Sequence, residues 1–468
     1  MFHGNVASSL YKIFINDSFF VVNRGFPVLP LSVCEANLNA SRFTFIVGED
    51  KANMGDFRQQ LALLRQKVAR IDRKYAAAES PRVAPCLIEQ IVSGEVMETS
   101  FGSHFETERL YERHRRHGSV GMADLIDLPD NLLHALSEGA IAQSHPKRWA
   151  FLDTETTGLA GGTGTYAFLI GVGSIDEAGF RVRQFFMRDY GEEASLLAAL
   201  AGYLERFDVL ITYNGKAYDQ PLLETRYRMV RARPPFARME HLDLLFGARR
   251  LWKLRLDSCR LVDLENRVLG VERHGDLPGE MIPYYYFEYL RMQQAFRLVP
   301  IFHHNAMDIV SLACLTAIVP AAFGSPEGTL FRHGADLIGL GRWLLTAGRD
   351  EEALGLYRRA VDLGLPDALL FRTMAETGAI EKRLGRQAAA LEIFNDLAAS
   401  PNPYRGHAFE ELAKYYEHRE RNHAVALEMT RNARALEDSP GLERREERLK
   451  RRLSARPAKY GSARKKKL

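Results

Sequence analysis

Two apolar runs between Trp149 and Asp176, WAFLDTETT and YAFLIGVGSID, are separated by a glycine-rich stretch, and a third, RVRQFFMRD, follows a turn around Glu177, Ala178 and Gly179. Short apolar runs bounded by turn residues predict three successive strands. The period then changes. EEASLLAALAGYLERF has helical spacing, DVLITYN is a strongly apolar strand, and DQPLLETRYRMV is a helix with Pro221 in its first turn, where no helical bond needs the missing N–H. HLDLLFGARRLW, SCRLVDLENRVLG and YYYFEYLRMQQAF read as mostly helical, and NAMDIVSLACLTAIV closes the region as an apolar helix. Three strands compatible with antiparallel pairing, followed by α/β alternation, predict an α/β domain over 147–322: a mixed sheet flanked by helices.

Beyond Gly334 the pattern is wholly helical and repeats. The pair Ala353-Leu354 in EEALGLYRRAVDLG returns as Ala390-Leu391 in AAALEIFNDLA and as Ala426-Leu427 in HAVALEMTRNARAL. Spacings near the 34-residue tetratricopeptide period predict about three helical hairpins over 334–440, with small residues on the second helix of each packing closely on the first. Upstream, 54–146 reads as an accessory region. It opens on the basic amphipathic stretch MGDFRQQLALLRQKVARIDRKY and contains an alternating segment, LIEQIVSGEVMETSFG, and a charged segment of helical character, FETERLYERHRRHG. Residues 1–53 hold short β-prone pieces. Two readings stand for them: an extra N-terminal lobe, or an over-extended start ahead of Met54.

Composition adds limits. The chain has 468 residues, enough for several domains with cores of their own, and a net charge of +4. From Gly441 onward 12 Lys and Arg face 3 Glu, a local +9, so the rest of the chain carries −5. The basic tail 441–468 reads either as a solvated helix end with an arm or as a phosphate-backbone contact. Cys34, Cys86, Cys259 and Cys314 form no C-x-x-C pair, which argues against a disulfide framework or structural zinc. No run of 18 consecutive apolar residues is present. The expectation is a cytoplasmic protein in a reducing compartment, with no membrane partner.

The candidate chemistry lies in four acids. Asp153 and Glu155 are i and i+2 on a predicted strand, so their side chains leave the same face. Two carboxylates that close call for a compensating cation. Asp219 opens a helix after an apolar strand, and Asn214, Lys216 and Tyr218 stand just before it as candidate substrate-binding residues. Asp308 interrupts a helix that is apolar on nearly every side, which is unfavourable by several kcal/mol unless the carboxylate is paired or ligated. Oxygen donors alone select hard divalent cations, Mg2+ or Mn2+, and two such ions about 4 Å apart can act on a phosphodiester.

D-x-E, then N-x-x-x-[FY]-D, then a final D beside histidine resembles the DEDD 3′–5′ exonuclease superfamily on a ribonuclease-H-like fold. FLDTETTGLAGGTGTYAFLIGVG, NGKAYDQPLL, HLDLLFGARRLW, DLPGEMIPYYYFEYL and HNAMDIVSL together are similar to the bacterial YprB-like family of predicted exonucleases, several with C-terminal helical repeats. The resemblance spans roughly Met122 to Val319. It implies that Asp153 bridges two ions, that Glu155 and Asp308 complete the shell of the first ion, and that Asp219 holds the second directly or through water. One branch of the superfamily places its base five residues before the last aspartate, here His303, and the other four before it, here His304 in place of a tyrosine. Helical i, i+4 spacing sets His304 beside Asp308, so His304 is favoured and His303 is the alternative.

Other features read as structural. GLAGGTGTY lacks the ending of a phosphate-cradling loop, and its glycines read as allowing a tight turn or a close substrate backbone. Asp243 reads as a helix cap or strand end. Lys216 reads either as a phosphate contact or as a solvated lysine, and Tyr284, Tyr285 and Tyr286 as packing rather than base-stacking residues. The sequence thus predicts a metal-dependent exonuclease acting on single-stranded 3′ ends of DNA or RNA, with a protein partner at the repeats. The alternatives are a catalytically silent nucleic-acid-binding scaffold and a ribonuclease-H-like endonuclease.

Overall fold

The computed structural model describes residues 84–454, apart from 138, 159–162, 274 and 330, together with two short strands near the N-terminus. The chain divides after Val83. In the first unit Tyr11–Ile15 pairs antiparallel with Ser18–Val22. The amphipathic stretch from Met54, part of the glycine-rich loop and the tail beyond 454 lie outside the described residues.

The second unit is built on a seven-stranded sheet. Its strands are β1 (Glu95–Thr99), β2 (Gly102–Glu112), β3 (Trp149–Thr156), β4 (Ala167–Asp176), β5 (Gly179–Phe186), β6 (Val209–Thr212) and β7 (Glu240–Asp243), in the order β7-β6-β3-β4-β5-β2-β1. β3, β6 and β7 are parallel to one another, and the remaining neighbours are antiparallel. This is the mixed sheet that the hydrophobic pattern predicts. The region read as accessory supplies two of its strands. There the expectation of a helix in FETERLYERHRRHG fails: most of that run is β2, hydrogen-bonded to β5 from Phe105 to Glu112. Its charges are answered across the sheet, Glu108 by Arg181 at 2.7 Å and Glu106 by Arg183 at 2.6 Å, and such pairs stabilise a polar strand.

Helices cover both faces. On one face lie α1 (Met122–Ile126), α2 (Leu132–Leu136), α5 (Leu244–Trp252) and α7 (Val299–Gly324), packed on Phe151, Val182, Val209 and Ile211. On the other lie α3 (Glu193–Leu204), α4 (Asp219–Met229) and α6 (Ile282–Met292), packed on Ala150, Leu152, Phe168 and Val172. Neighbouring β3 residues thus belong to opposite cores, as a pleat requires. Ala295–Gly324, whose most apolar 18 residues have a mean hydropathy of 1.9, is long and apolar enough to cross a membrane, a property the count of consecutive apolar residues passes over. In this fold 72% of its most apolar stretch is buried, so that surface is used by the core.

Behind the sheet the chain continues as α8 (Gly334–Thr346), α9 (Asp350–Asp362), α10 (Asp367–Arg383), α11 (Gln387–Ala399), α12 (Arg405–His418), α13 (His423–Leu436) and α14 (Pro440–Ser454). They pair as hairpins α8/α9, α10/α11 and α12/α13, with α14 against α13. Ala353, Ala390 and Ala426, the repeated small residues, are all buried. Part of the basic tail is consumed here: Arg445, Arg448 and Arg452 of α14 converge on the buried Glu417 of α12.

Candidate active site

β3 and α7 set the centre of the site. Asp153 lies opposite Gly171 of β4, and a side chain there has no room: a Cβ on Gly171 would stand 2.2 Å from Asn305 Oδ1 and 2.3 Å from Ile309 Cδ1. The missing side chain lets α7 lie against the strand. Asn305, wholly buried on α7, donates from Nδ2 to Asp153 Oδ2 at 2.8 Å, while its own Oδ1 accepts from Gln184 of β5 at 2.9 Å. Asp153 is therefore fixed from two elements.

The other acids gather around it. Asp219 is the first residue of α4 and accepts from Thr154 Oγ1 at 2.5 Å. Asp308 follows Asn305 on the next turn of α7. Burial, and then the nearby Asp308 and Asp219, push the Asp153 carboxyl well above its usual range. Burial, and then Asp153, Asp308, Asp219 and Asp276, do the same to Glu155. Burial also pushes Asp219 up to about 6, against the hydrogen bond from Thr154. The four predicted acids thus share one electrostatic neighbourhood, in which burial holds Asp153, Glu155 and Asp219 toward their protonated forms.

His304 sits on the same face of α7, with Nε2 3.7 Å from Asp308 Oδ2. Its Nδ1 lies 2.9 Å and 3.0 Å from the two oxygens of Asp276. Burial works against the ionised Asp276 carboxylate, but the His304 hydrogen bond and charge outweigh it and hold the acid below its ordinary range. Asp276 therefore accepts and Nδ1 donates, which leaves Nε2 as the imidazole's acceptor toward the acids. His303 is exposed, and burial of part of its ring, and then the nearby Arg109, lower its pKa.

Of the candidate substrate-binding residues, Asn214 takes a left-handed backbone, φ 68°, and its N–H donates to Asp243 Oδ1 at 2.7 Å. The Lys216 N–H donates to Asp243 Oδ2 at 3.1 Å, and Asp243 also caps α5 through the Leu245 N–H. Asp243 is the cap the sequence predicts, and it holds the loop that carries Lys216 and Tyr218, both exposed. Tyr286 is buried and stacked on Phe168 at 3.9 Å, whereas Tyr284 is half exposed.

Several residues of this constellation are invisible to the motifs. Arg273 reaches Asp308 Oδ1 at 2.5 Å and Asp276 Oδ2 at 3.2 Å, and also pairs with the buried Glu265. With Asn305 on Asp153 and Thr154 on Asp219, it gives three of the four acids a hydrogen-bond donor. As a donor set the four carboxylates suit Mg2+ or Mn2+: all their donor atoms are oxygen, and like charges gathered this closely repel one another. The side chains of Asp153, Asp219 and Asp308 are here turned to protein partners, and among the described residues no group of three or more His, Cys, Asp or Glu is arranged to hold an ion.

Fold and site define a class. Residues 150–319 match the family model of the RNase H superfamily, whose fold is that of nucleases acting on phosphodiesters. Over 362 residues the chain is also 31% identical to the uncharacterized protein YprB of Bacillus subtilis (strain 168), an alignment covering 75% of this chain and 85% of that one. The chain belongs to the YprB family.

Proposed function

We propose that this protein is a metal-dependent 3′–5′ exonuclease acting on single-stranded DNA or RNA. The observation that carries the reading is the gathering of Asp153, Glu155, Asp219 and Asp308 at one site, where burial and then the neighbouring acids oppose the ionisation of Asp153 and Glu155. Two divalent cations, held by Asp153, Glu155 and Asp308 and by Asp219, would supply Lewis acidity and countercharge at the phosphodiester. The protein's own part is proton movement and placement. His304, oriented by Asp276 at Nδ1, takes the proton of the attacking water at Nε2. Asn305 fixes Asp153, Thr154 fixes Asp219, and the exposed Lys216 and Tyr218 offer a phosphate and a base contact beside them. The exonucleolytic direction rests on the resemblance to DEDD enzymes. The helical hairpins serve as a platform for a protein partner, and the three described cysteines, all free thiols, accord with a cytoplasmic setting.

The test is incubation of the full chain with 3′- and 5′-labelled single strands of DNA and RNA, with Mg2+, Mn2+ or chelator, beside Asp153→Asn. Metal-dependent laddering from the 3′ end that the substitution abolishes is the expected result. Cleavage of circular strands would instead identify an endonuclease. No cleavage of either polymer would favour the silent scaffold.

A further inference from the structure

Arg273 has no part in the reaction as described, yet its guanidinium lies against the acids. It stands on the connection between Gly270 and Gly275, whose φ values of +72° and +73° place the chain in a conformation that favours glycine at both flanks. A single nitrogen, Nη2, is shared between Glu265, which is wholly buried, and Asp308 Oδ1 at 2.5 Å, while Nη1 reaches Asp276. The pairing is incomplete. Among the described residues, Arg273 Nε and Glu265 Oε2 are buried side-chain atoms without a hydrogen-bond partner. An arginine kept only to neutralise Glu265 would make the two-pronged bond that guanidinium and carboxylate favour. Here one oxygen of Glu265 is left bare and the guanidinium turns to the site.

We propose that Arg273 is a resident counter-ion that competes with the divalent cation for Asp308. The inference rests on the metal-dependent reading above and adds to it what occupies the carboxylate before an ion arrives. The guanidinium takes up Asp308 Oδ1 and sets a fixed positive charge one hydrogen bond from it, and both effects oppose a second cation at that oxygen. Glu265 is the tether: buried and fixed, it keeps the guanidinium within reach of Asp308.

The experiment is calorimetric titration of the full-length protein with Mn2+ alone, in the absence of nucleic acid, with folding checked by circular dichroism. Arg273→Gln should bind Mn2+ about tenfold more tightly than wild type, the size of one nearby charge at a partly buried site, while Arg273→Lys stays close to wild type. Breaking a buried pair can destabilise a protein, so the double variant Glu265→Gln, Arg273→Gln, in which Glu265 is not left as a buried unpaired charge, is titrated in parallel with the same expectation. Unchanged or weaker binding in the folded variants overturns the proposal. If wild-type binding is meanwhile lost in Asp153→Asn, the metal-dependent reading survives that result. Absence of Mn2+ binding in every form, wild type included, overturns both.

Discussion

His304 donates from Nδ1 to Asp276 at 2.9 Å, and the opposite ring nitrogen faces Asp308. The imidazole is thus aimed by an acid from a separate segment of the chain. Asp276→Asn keeps the size of the side chain but loses the charge that orients the ring and fixes its tautomer. The expected loss is about 10–100-fold in kcat with KM little changed, since such supporting partners typically matter by that factor. His304→Ala should lose about 100-fold or more. A larger loss in His303→Ala than in His304→Ala would reverse the choice of base.

Gly171 and Asn305 make a second test. A methyl on Gly171 collides with the amide that holds Asp153 and with Ile309. Gly171→Ala should therefore destabilise the fold by about 1–3 kcal/mol, the usual range for overpacking, and weaken metal-dependent activity as well. Urea unfolding and nuclease assays on the same preparation would read both. Full stability and activity would mean that α7 moves away from β4 without consequence.

The acids also set a pH dependence. Asp219 has a pKa of about 6 in the folded protein against an ordinary 3.8, so the native state holds its proton more tightly than the unfolded chain does. Stability from this group is complete below about pH 4 and is lost as the pH rises through 6, on the order of 1–3 kcal/mol. Asp153 and Glu155 shift in the same direction. Chelator-treated Asp219→Asn should accordingly lose less melting temperature than wild type between about pH 4 and pH 8. Equal slopes would show that the Asp219 carboxyl titrates like an exposed one.

In the helical region Glu417 gathers Arg445, Arg448 and Arg452. Glu417→Ala would leave three clustered guanidinium groups without their common partner. A loss of about 2–3 kcal/mol is expected, below the usual range for a broken buried pair because two of the arginines are partly solvated. Denaturant titration, with salt restoring part of the stability, would check it.

The four acids could be read from sequence because each interrupts or ends an apolar run, and an unexplained charge in such surroundings stands out. Arg273 and Asp276 lie in ERHGDLPG, where polar residues are ordinary for a connection and carry no contrast. Asn305 is a polar residue on a largely apolar helix, and nothing in its own stretch of sequence gives it a role. Its work depends on a glycine across the sheet, a long-range relation that no local pattern encodes. β2 was hidden for a similar reason: its charges are balanced by Arg181 and Arg183 on another strand, while local spacing reads them as a solvated helix face. The strands β3, β4 and β6 were legible because their burial leaves nearly unbroken apolar runs, and β5 because its apolar residues alternate with Arg181 and Arg183.

Gly339 of α8 packs directly on the α5 backbone: a Cβ there would stand 2.3 Å from Leu251 O. Leu337, Leu340, Ala353 and Tyr357 accordingly share one apolar core with Phe151 of the sheet, whereas Ala375, Ala390 and Phe394 begin another. The seam at which this protein can be divided, or its arm exchanged for another in a rearranged gene, therefore lies after the first hairpin. A recombination that cut at Gly334, where the sequence changes character, would strip the nuclease of part of its own interior.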